Sequence, residues 1–284
     1  MKNSKTLFQD FVERVTLKES RDEIKSMAYL VFESVFGWSR TDVLSEKIIP
    51  ENINEVELDR IVQRINHHEP VQYILGEATF CGRTFTVSPA VLIPRPETEE
   101  LVRMVINFAR RTGKANTRII DVGTGSGCIA VTLALELPTA KIFATDISED
   151  ALKVAVHNAV KLGANVEFLK HDVIRSKLPF TVDIIVSNPP YIAKSERINM
   201  QTNVIGYEPE MALFVDSQDP LLFYKMLVSK ANESLRSHGL LAVEINERYG
   251  NEVQQLFQSS NFEDVQVVQD LFGKDRIVKG ILSS

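Results

Sequence analysis

Cysteine is nearly absent from this sequence: Cys81 and Cys128 are the only two in 284 residues. Their separation matches no metal-ligand spacing, so neither a disulfide framework nor a structural metal site is expected, and both thiols read as small packing residues. No apolar run approaches the length of a bilayer-spanning helix. The opening residues, MKNSKTLFQDFVERV, are interrupted by acids and bases where a secretory signal needs a continuous apolar stretch, which makes a cytoplasmic location the expectation. A basic excess is also missing. Lys and Arg number 32 against 38 Asp and Glu, a net charge of −6, which repels a polyphosphate backbone unless the bases gather on one face. Nucleic acid is therefore disfavoured as a substrate.

What is present is the composition of an ordinary folded protein, 44% apolar and 25% charged. The length suits one large domain and a small one. In the first seventy or so residues Phe8, Phe11, Val12 and Val15 recur at helical spacing. Ser20 and Glu23 form a capping-box pattern ahead of Ile24, Met27, Ala28, Val31 and Val35, and Gly37 supplies a stop. A third periodic stretch, Val56, Ile61, Val62 and Ile65, ends before Pro70. A small helical bundle is expected over residues 1–75. From Glu77 to Val91 the pattern alternates around Cys81-Gly82-Arg83, as a β-hairpin does, and Pro89, Pro94 and Pro96 stiffen the chain at its exit. Residues 76–94 are thus expected to be an ordered connector.

After the connector, helical and strand-like segments alternate over residues 95–284. Helices are expected at Glu97–Arg111, Cys128–Glu136, Glu149–Leu162 and Pro220–Arg236. Strands are expected at Arg118–Val122, Lys141–Thr145, Val166–Leu169, Val182–Ser187, Gly239–Ile245, Val265–Val268 and Arg276–Ile281. That order predicts an α/β domain, a doubly wound, Rossmann-like sheet of about seven strands.

Asp121-Val122-Gly123-Thr124-Gly125-Ser126-Gly127 follows a strand and opens a helix, the context in which glycines bring a ligand against backbone N–H groups. A dinucleotide loop looks similar and also calls for an acid about 20 residues further on, where Asp146 stands; either reading gives Asp146 a ribose. Two details favour a methionine-derived cofactor. The third glycine, Gly127, falls one position before the dinucleotide spacing, and the Asp121 carboxylate suits an amino group, directly or through water, but repels a pyrophosphate. Asp172 follows a third strand towards the same crevice. It can accept from an adenine amino group or serve as a helix-cap or turn aspartate.

The buried-strand pattern Val182–Ser187 ends in Asn188-Pro189-Pro190-Tyr191, so this loop emerges near the glycine loop. An amide or exocyclic amine is a poor nucleophile because its lone pair is delocalised, and holding it correctly is what an enzyme can contribute. The Asn188 side-chain oxygen and the Pro189 carbonyl can accept its two hydrogens, the prolines fix those carbonyls, and Tyr191 offers an aromatic face and a hydroxyl. By itself the loop admits adenine and glutamine equally.

With these motifs the sequence resembles the release-factor glutamine methyltransferases, the HemK/PrmC family. The matching stretches are PVQYILG (Pro70–Gly76), VLIPRPETEELV (Val91–Val102), DVGTGSGCIA (Asp121–Ala130), ATDIS and ALKVAVHNA (Ala144–Ala159), SNPPYI (Ser187–Ile192) and YEPEMAL (Tyr207–Leu213). The first two separate this family from amine and adenine methyltransferases that share the NPPY loop. The resemblance implies a seven-stranded class I methyltransferase domain using S-adenosyl-L-methionine, bound on Gly123–Gly127 and Asp146, with Asn188 also expected among the cofactor-binding residues. It implies that Asn188–Tyr191 hold the glutamine of the Gly-Gly-Gln loop of bacterial class I release factors, and that the N-terminal helices help grip that partner. Two departures stand out. Val215-Asp216-Ser217-Gln218-Asp219 lacks a glycine pair usual in the family, and Asn246 replaces a glycine after the late strand. Adenine-N6 methylation of nucleic acid and a non-catalytic, partner-binding role are the competing readings.

Other residues receive bland assignments. His67 and His68 read as helix-end residues, so no metal is expected; Arg95 can face the active site or an acidic partner patch, but reads first as one half of a surface ion pair. Glu244 is left open. Phe11, Phe32 and Phe36 read as core.

Overall fold

The computed structural model describes residues 3–49, 55–193, 196–197, 202–215 and 219–284. Asp216–Gln218, where the family's glycine pair is missing, lie outside the described residues. The chain forms two compact units, residues 1–77 with 201–207, and residues 78–200 with 208–284. Among the described residues no helix is long and apolar enough to cross a membrane.

The first unit is helical: α1 (Ser4–Arg14), α2 (Arg21–Phe36), α3 (Arg40–Leu44), α4 (Glu55–Asn66), α5 (Val71–Leu75) and the later α9 (Thr202–Tyr207). Local chemistry sets its boundaries. At the start of α2 the Glu23 N–H donates to Ser20 Oγ at 3.3 Å and the Ser20 N–H to Glu23 Oε2 at 2.8 Å, the reciprocal capping box. Gly37, at φ +66°, ends the helix by donating to the Glu33 carbonyl, a conformation that costs glycine little. The expected α4 stripe differs in one place: Val56 is exposed and Leu58 is buried instead. One helical turn holds both, so apolar spacing alone does not fix which one faces inward.

Phe32 is the hub of this unit. It is fully buried, with Phe8, Phe11, Phe36 and Trp38 ring centroids 5.3, 5.7, 5.4 and 6.1 Å away. Phe32→Ala is expected to destabilise the helical unit by about 3–5 kcal/mol, through lost transfer energy plus an unfilled cavity. Urea unfolding followed by the fluorescence of Trp38, the chain's single tryptophan, checks this directly.

The expected hairpin, β1 (Glu77–Phe80) and β2 (Arg83–Thr86), belongs to the second unit in all but its first residue. That unit continues through α6 (Thr98–Thr112), β3 (Arg118–Val122), α7 (Cys128–Glu136), β4 (Lys141–Asp146), α8 (Glu149–Leu162), β5 (Val166–Lys170) and β6 (Val182–Ser187). A two-strand pair, β7 (Ile192–Ala193) with β8 (Phe214–Val215), brackets α10 (Glu210–Leu213). The chain ends with α11 (Leu222–Ser234), β9 (Leu235–Glu244), α12 (Gly250–Gln258), β10 (Phe262–Gln269) and β11 (Asp275–Leu282).

Seven strands form one sheet in the order β5-β4-β3-β6-β9-β11-β10, parallel except where β11 meets β9 and β10. The expected architecture is the one observed. Strand alternation splits the core in two: Ile119, Ile184 and Leu240 form a row on one face, and Ile120, Ile185 and Leu241 a row on the other. Both faces are covered, which explains why every residue of β6 is buried and why Ile184, Ile185 and Val186 follow one another without polar alternation. Strand β9 starts earlier than expected, at Leu235, and Gly239 lies inside it. There a side chain would meet the carbonyls of Arg236 at 2.8 Å and Asp183 at 2.9 Å, so this glycine marks close backbone approach rather than a boundary.

Candidate active site

Sheet register places the functional loops. Thr145, Val122, Ser187 and Val243 pair in one row across β4, β3, β6 and β9. All four strands run the same way, so the next residues, Asp146, Gly123, Asn188 and Glu244, emerge side by side at the carboxyl edge. The chain moves from β3 outwards to β4 and β5, then returns to β6 on the other side of β3. The glycine and NPPY loops therefore flank the topological switch point, where ligands bind in open α/β sheets. The Ser187 hydroxyl donates to the Val122 carbonyl at 2.6 Å and ties the two loop roots together.

A cavity of about 820 Å³ occupies this edge. All the expected site residues line it except Asp121, Gly127 and Tyr191. The glycine loop differs from the expected array of ligand-facing N–H groups. Gly123 and Thr124 both donate to the Thr145 carbonyl, at 2.8 and 2.9 Å; Gly125 donates to Asp146 Oδ2 at 2.9 Å and Gly127 to the Thr124 carbonyl at 2.8 Å. These amides are already engaged within the protein, so the loop is poorly equipped to cradle a pyrophosphate, which needs them as donors. What it presents instead is bare glycine backbone, with φ at +76°, +54° and +80° for the three glycines.

Asp121 sits directly behind this loop, fully buried. Thr124 Oγ1 donates to its Oδ2 at 2.6 Å, while Oδ1 is buried without a hydrogen-bond partner. Burial pushes the carboxyl up to about 7, against the Thr124 hydrogen bond. Asp146 is raised for the same reason, opposed by the backbone N–H groups of Ser148 and Gly125. Asp172 takes the turn role, its Oδ1 accepting from the amides of Ile174 at 2.9 Å and Arg175 at 3.3 Å, and it lines the cavity.

In the NPPY loop, Asn188 Nδ2 donates to Thr98 Oγ1 at 3.2 Å, and Thr98 Oγ1 donates to Glu244 Oε2 at 2.7 Å. Tyr191 does not offer its ring to the cavity. The ring packs against the core face shared with Tyr224 and Val243, and its hydroxyl donates to Glu244 Oε1 at 3.3 Å. Burial, then the Glu244 charge, holds that phenol far above its ordinary range.

Several residues given bland roles or none from the sequence shape the site. Arg95 is no surface pair: it lines the cavity and meets Glu208, whose side chain is 1% exposed, at 2.5 Å, tying the connector to the YEPE segment. Asn158 of α8 is fully buried. Its Oδ1 accepts from the Thr86 N–H at 2.7 Å, and its Nδ2 donates to the carbonyls of Thr86 and Ser126, each at 2.9 Å, joining the hairpin to the glycine loop. A polar residue on the inward face of an otherwise apolar helix stripe was the available signal. Both cysteines are unpaired; burial pushes Cys81 up to about 11 and Cys128 up to about 12, so neither thiol is poised to react.

Similarity to known proteins defines the class first. Residues 103–210 match the family model described as the methyltransferase small domain, and residues 13–76 match the PrmC N-terminal domain. The crystal structure of a methyltransferase from Pyrococcus furiosus shares the fold, with a TM-score of 0.53 and 18% identity over 78% of this chain and 98% of that one. The protein is a methyltransferase. The particular family follows from curated relatives named release factor glutamine methyltransferase. That of Bacteroides thetaiotaomicron is 43% identical over 260 residues, covering 90% of this chain and 92% of the relative. That of Flavobacterium psychrophilum is 39% identical over 282 residues, covering 98% of each. The chain belongs to the release factor glutamine methyltransferase family.

Proposed function

We propose that this enzyme transfers the methyl group of S-adenosyl-L-methionine to the side-chain amide nitrogen, N5, of the glutamine in the Gly-Gly-Gln motif of bacterial class I release factors. The observation that carries the reading is the adjacency of Asn188-Pro189 and the glycine loop on one cavity wall, in a chain of this family.

The site suits this cofactor. Five carboxylates, Asp121, Asp146, Asp150, Asp172 and Glu210, lie at or behind a largely apolar slot. Among the described residues lining the cavity there is no lysine, and the two arginines, Arg95 and Arg175, are paired with Glu208 and Asp172. A cation with an amino group fits such surroundings better than a polyphosphate does. Asp121 Oδ1 is the natural acceptor for that amino group, directly or through water, Asp146 for the ribose hydroxyls, and Asp172 for the adenine amine. When bound, the cofactor supplies an electrophilic methyl on a sulfonium.

The remaining chemistry belongs to the chain's own groups. The Asn188 side-chain oxygen and the Pro189 carbonyl accept the two N–H hydrogens of the glutamine amide, which orients its nitrogen and stabilises the positive charge that develops there. As that charge grows the N–H becomes strongly acidic, so its surplus proton passes to water once the new N–C bond has formed and no strong base is required; the two accepting oxygens orient the nitrogen and do not themselves take the proton. The helical unit is assigned to gripping the release factor, and action on a translation factor is in keeping with a cytoplasmic location. Adenine methylation is set aside: the net charge is −6 and the curated relatives carry the release-factor name.

Incubation with radiolabelled cofactor and a class I release factor is expected to label the Gly-Gly-Gln peptide; label that persists in a Gln→Ala release factor would overturn the proposal. A second expectation concerns Asp121. Its folded pKa is raised, so its contribution to stability is complete below the unfolded value near 4 and is lost as pH rises through about 7. Asp121→Asn cannot ionise. It is expected to melt above the wild type at pH 8 but not at pH 5, while binding the cofactor about tenfold more weakly. Thermal melts at both pH values, with calorimetric titration, check both parts.

A further inference from the structure

We infer that Thr98 and Glu244 are positioning residues: together they hold the Asn188 amide with its oxygen towards the cavity and its nitrogen away from it. The inference rests on the proposed function for its consequences, but the hydrogen-bond logic is independent of it.

Glu244 is the last residue of β9 and is 1% exposed. An ionised carboxylate only accepts hydrogen bonds. The Thr98 hydroxyl, 2.7 Å from Oε2, must then donate its single hydrogen to Glu244, as Tyr191 does to Oε1 at 3.3 Å. With its hydrogen committed, Thr98 Oγ1 can only accept from Asn188, 3.2 Å away. The amide NH2, not the oxygen, must therefore face Thr98. Oδ1 is left at the opposite edge of the planar amide, on the residue's cavity side, since Asn188 lines the cavity. An asparagine without this constraint can flip by half a turn at little cost and present NH2 to the substrate's NH2, donor against donor. The buried charge thus selects the amide orientation that can accept a hydrogen from the substrate, and a single hydroxyl transmits the selection.

The groups that face Glu244 divide between those that favour its ionised form and those that oppose it. Thr98 comes from α6, Tyr191 from the NPPY loop and Arg276 from β11, while Glu97 opposes them and Tyr224 of α11 lies buried nearby. Arg276 is shared with Asp270, 3.1 Å away. Burial nevertheless raises the Glu244 carboxyl to about 7. Below that pH one oxygen becomes a donor. Thr98 can then accept from Glu244 and donate to Asn188, which reverses the amide. Asp121 is raised into the same range, so a pH profile alone cannot tell the two carboxyls apart.

The test is made on the full-length enzyme with Thr98→Val, Thr98→Ser and Glu244→Gln. Thr98→Val removes the hydroxyl at nearly constant volume and is expected to lower kcat for release-factor methylation by about 10–100-fold, with cofactor affinity kept. Thr98→Ser is expected to restore most of it. Glu244→Gln offers one acceptor to two hydroxyls, so kcat falls and the Glu244 part of the acidic limb of kcat/KM is lost. An unchanged kcat in Thr98→Val, or a Thr98→Ser variant as impaired as Thr98→Val while still folded, overturns the inference. A readout without catalysis separates it from the functional proposal: the side-chain NH2 proton signals of Asn188, assigned by their loss in Asn188→Ala, are expected to exchange slowly in the wild type and faster in Thr98→Val. Equal exchange in the two overturns the relay. A wild-type enzyme that leaves the release factor unmethylated overturns the proposed substrate and leaves the exchange result to decide the relay.

Discussion

Asn188→Ala is expected to lower kcat for release-factor methylation by about 10²–10³-fold, the loss typical of removing one hydrogen-bond acceptor or donor aimed at developing charge in a closed site. Cofactor affinity is expected to stay close to wild type, because the glycine loop and Asp146 hang from β3 and β4 and Asn188 from β6. The side chain lies on the cavity wall with its nitrogen engaged by Thr98, so its oxygen is the group that alanine removes. Asn188→Asp is expected to lose nearly as much. It keeps an acceptor but places a second carboxylate beside a single Thr98 hydroxyl already held by Glu244 at 2.7 Å, and it withdraws the donor that Thr98 Oγ1 had. Single-turnover kinetics with saturating cofactor separate chemistry from binding. A wild-type single-turnover rate in Asn188→Ala would remove this residue from the mechanism.

Gly127→Val is expected to be the most damaging change in the glycine loop. Gly127 holds φ at +80°, and a Cβ there would lie 3.0 Å from the Ala155 Cβ and 3.2 Å from its Cα, on the α8 helix. The left-handed conformation costs a non-glycine residue about 1–2 kcal/mol. A clash against helix backbone adds about 1–3 kcal/mol more, since neither side is the free end of a flexible chain. Together these are expected to cut cofactor affinity by about 100-fold or displace the start of α7, lowering stability by a similar energy. Gly123→Ala is the matching control: its φ is +76°, but nothing lies within 4 Å of the new Cβ, so only the conformational cost applies. Denaturant unfolding and cofactor titration of the two variants are expected to rank Gly127→Val well below Gly123→Ala. Equal losses would mean that the close approach of α8 to the loop contributes nothing.

Much of the site was legible because its signals are local. The capping box of Ser20 and Glu23, the stop at Gly37 and the strand-turn-helix context of Gly123–Gly127 each depend on neighbours within a few residues, where backbone geometry and side-chain reach decide the outcome. The apolar stretch Ile184–Val186 of β6 carried its own message, since a strand buried on both faces shows no polar alternation there. The misses share a cause as well. Val56 and Leu58 exchange roles because both lie within one helical turn, and Tyr191 turns to the core because a buried acceptor, Glu244, awaits its hydroxyl.

By itself, then, the sequence determined the seven strands of the sheet, most of the long helices, the two loops and the residue types that suit methyl transfer to an amide, while α12 and the short elements α3, α5, α9, α10, β7 and β8 carried too little pattern to be read. Only the tertiary structure decided what those residues touch. Glu208 lies 113 positions from Arg95, and Glu244 lies 146 from Thr98, yet each pair closes a hydrogen bond at the same sheet edge. Such contacts follow from strand order and register, which bring β9 beside β6 and β6 beside β3. Periodicity of 2 or 3.6 residues says which face a side chain takes, but holds no information about which strand stands next to it.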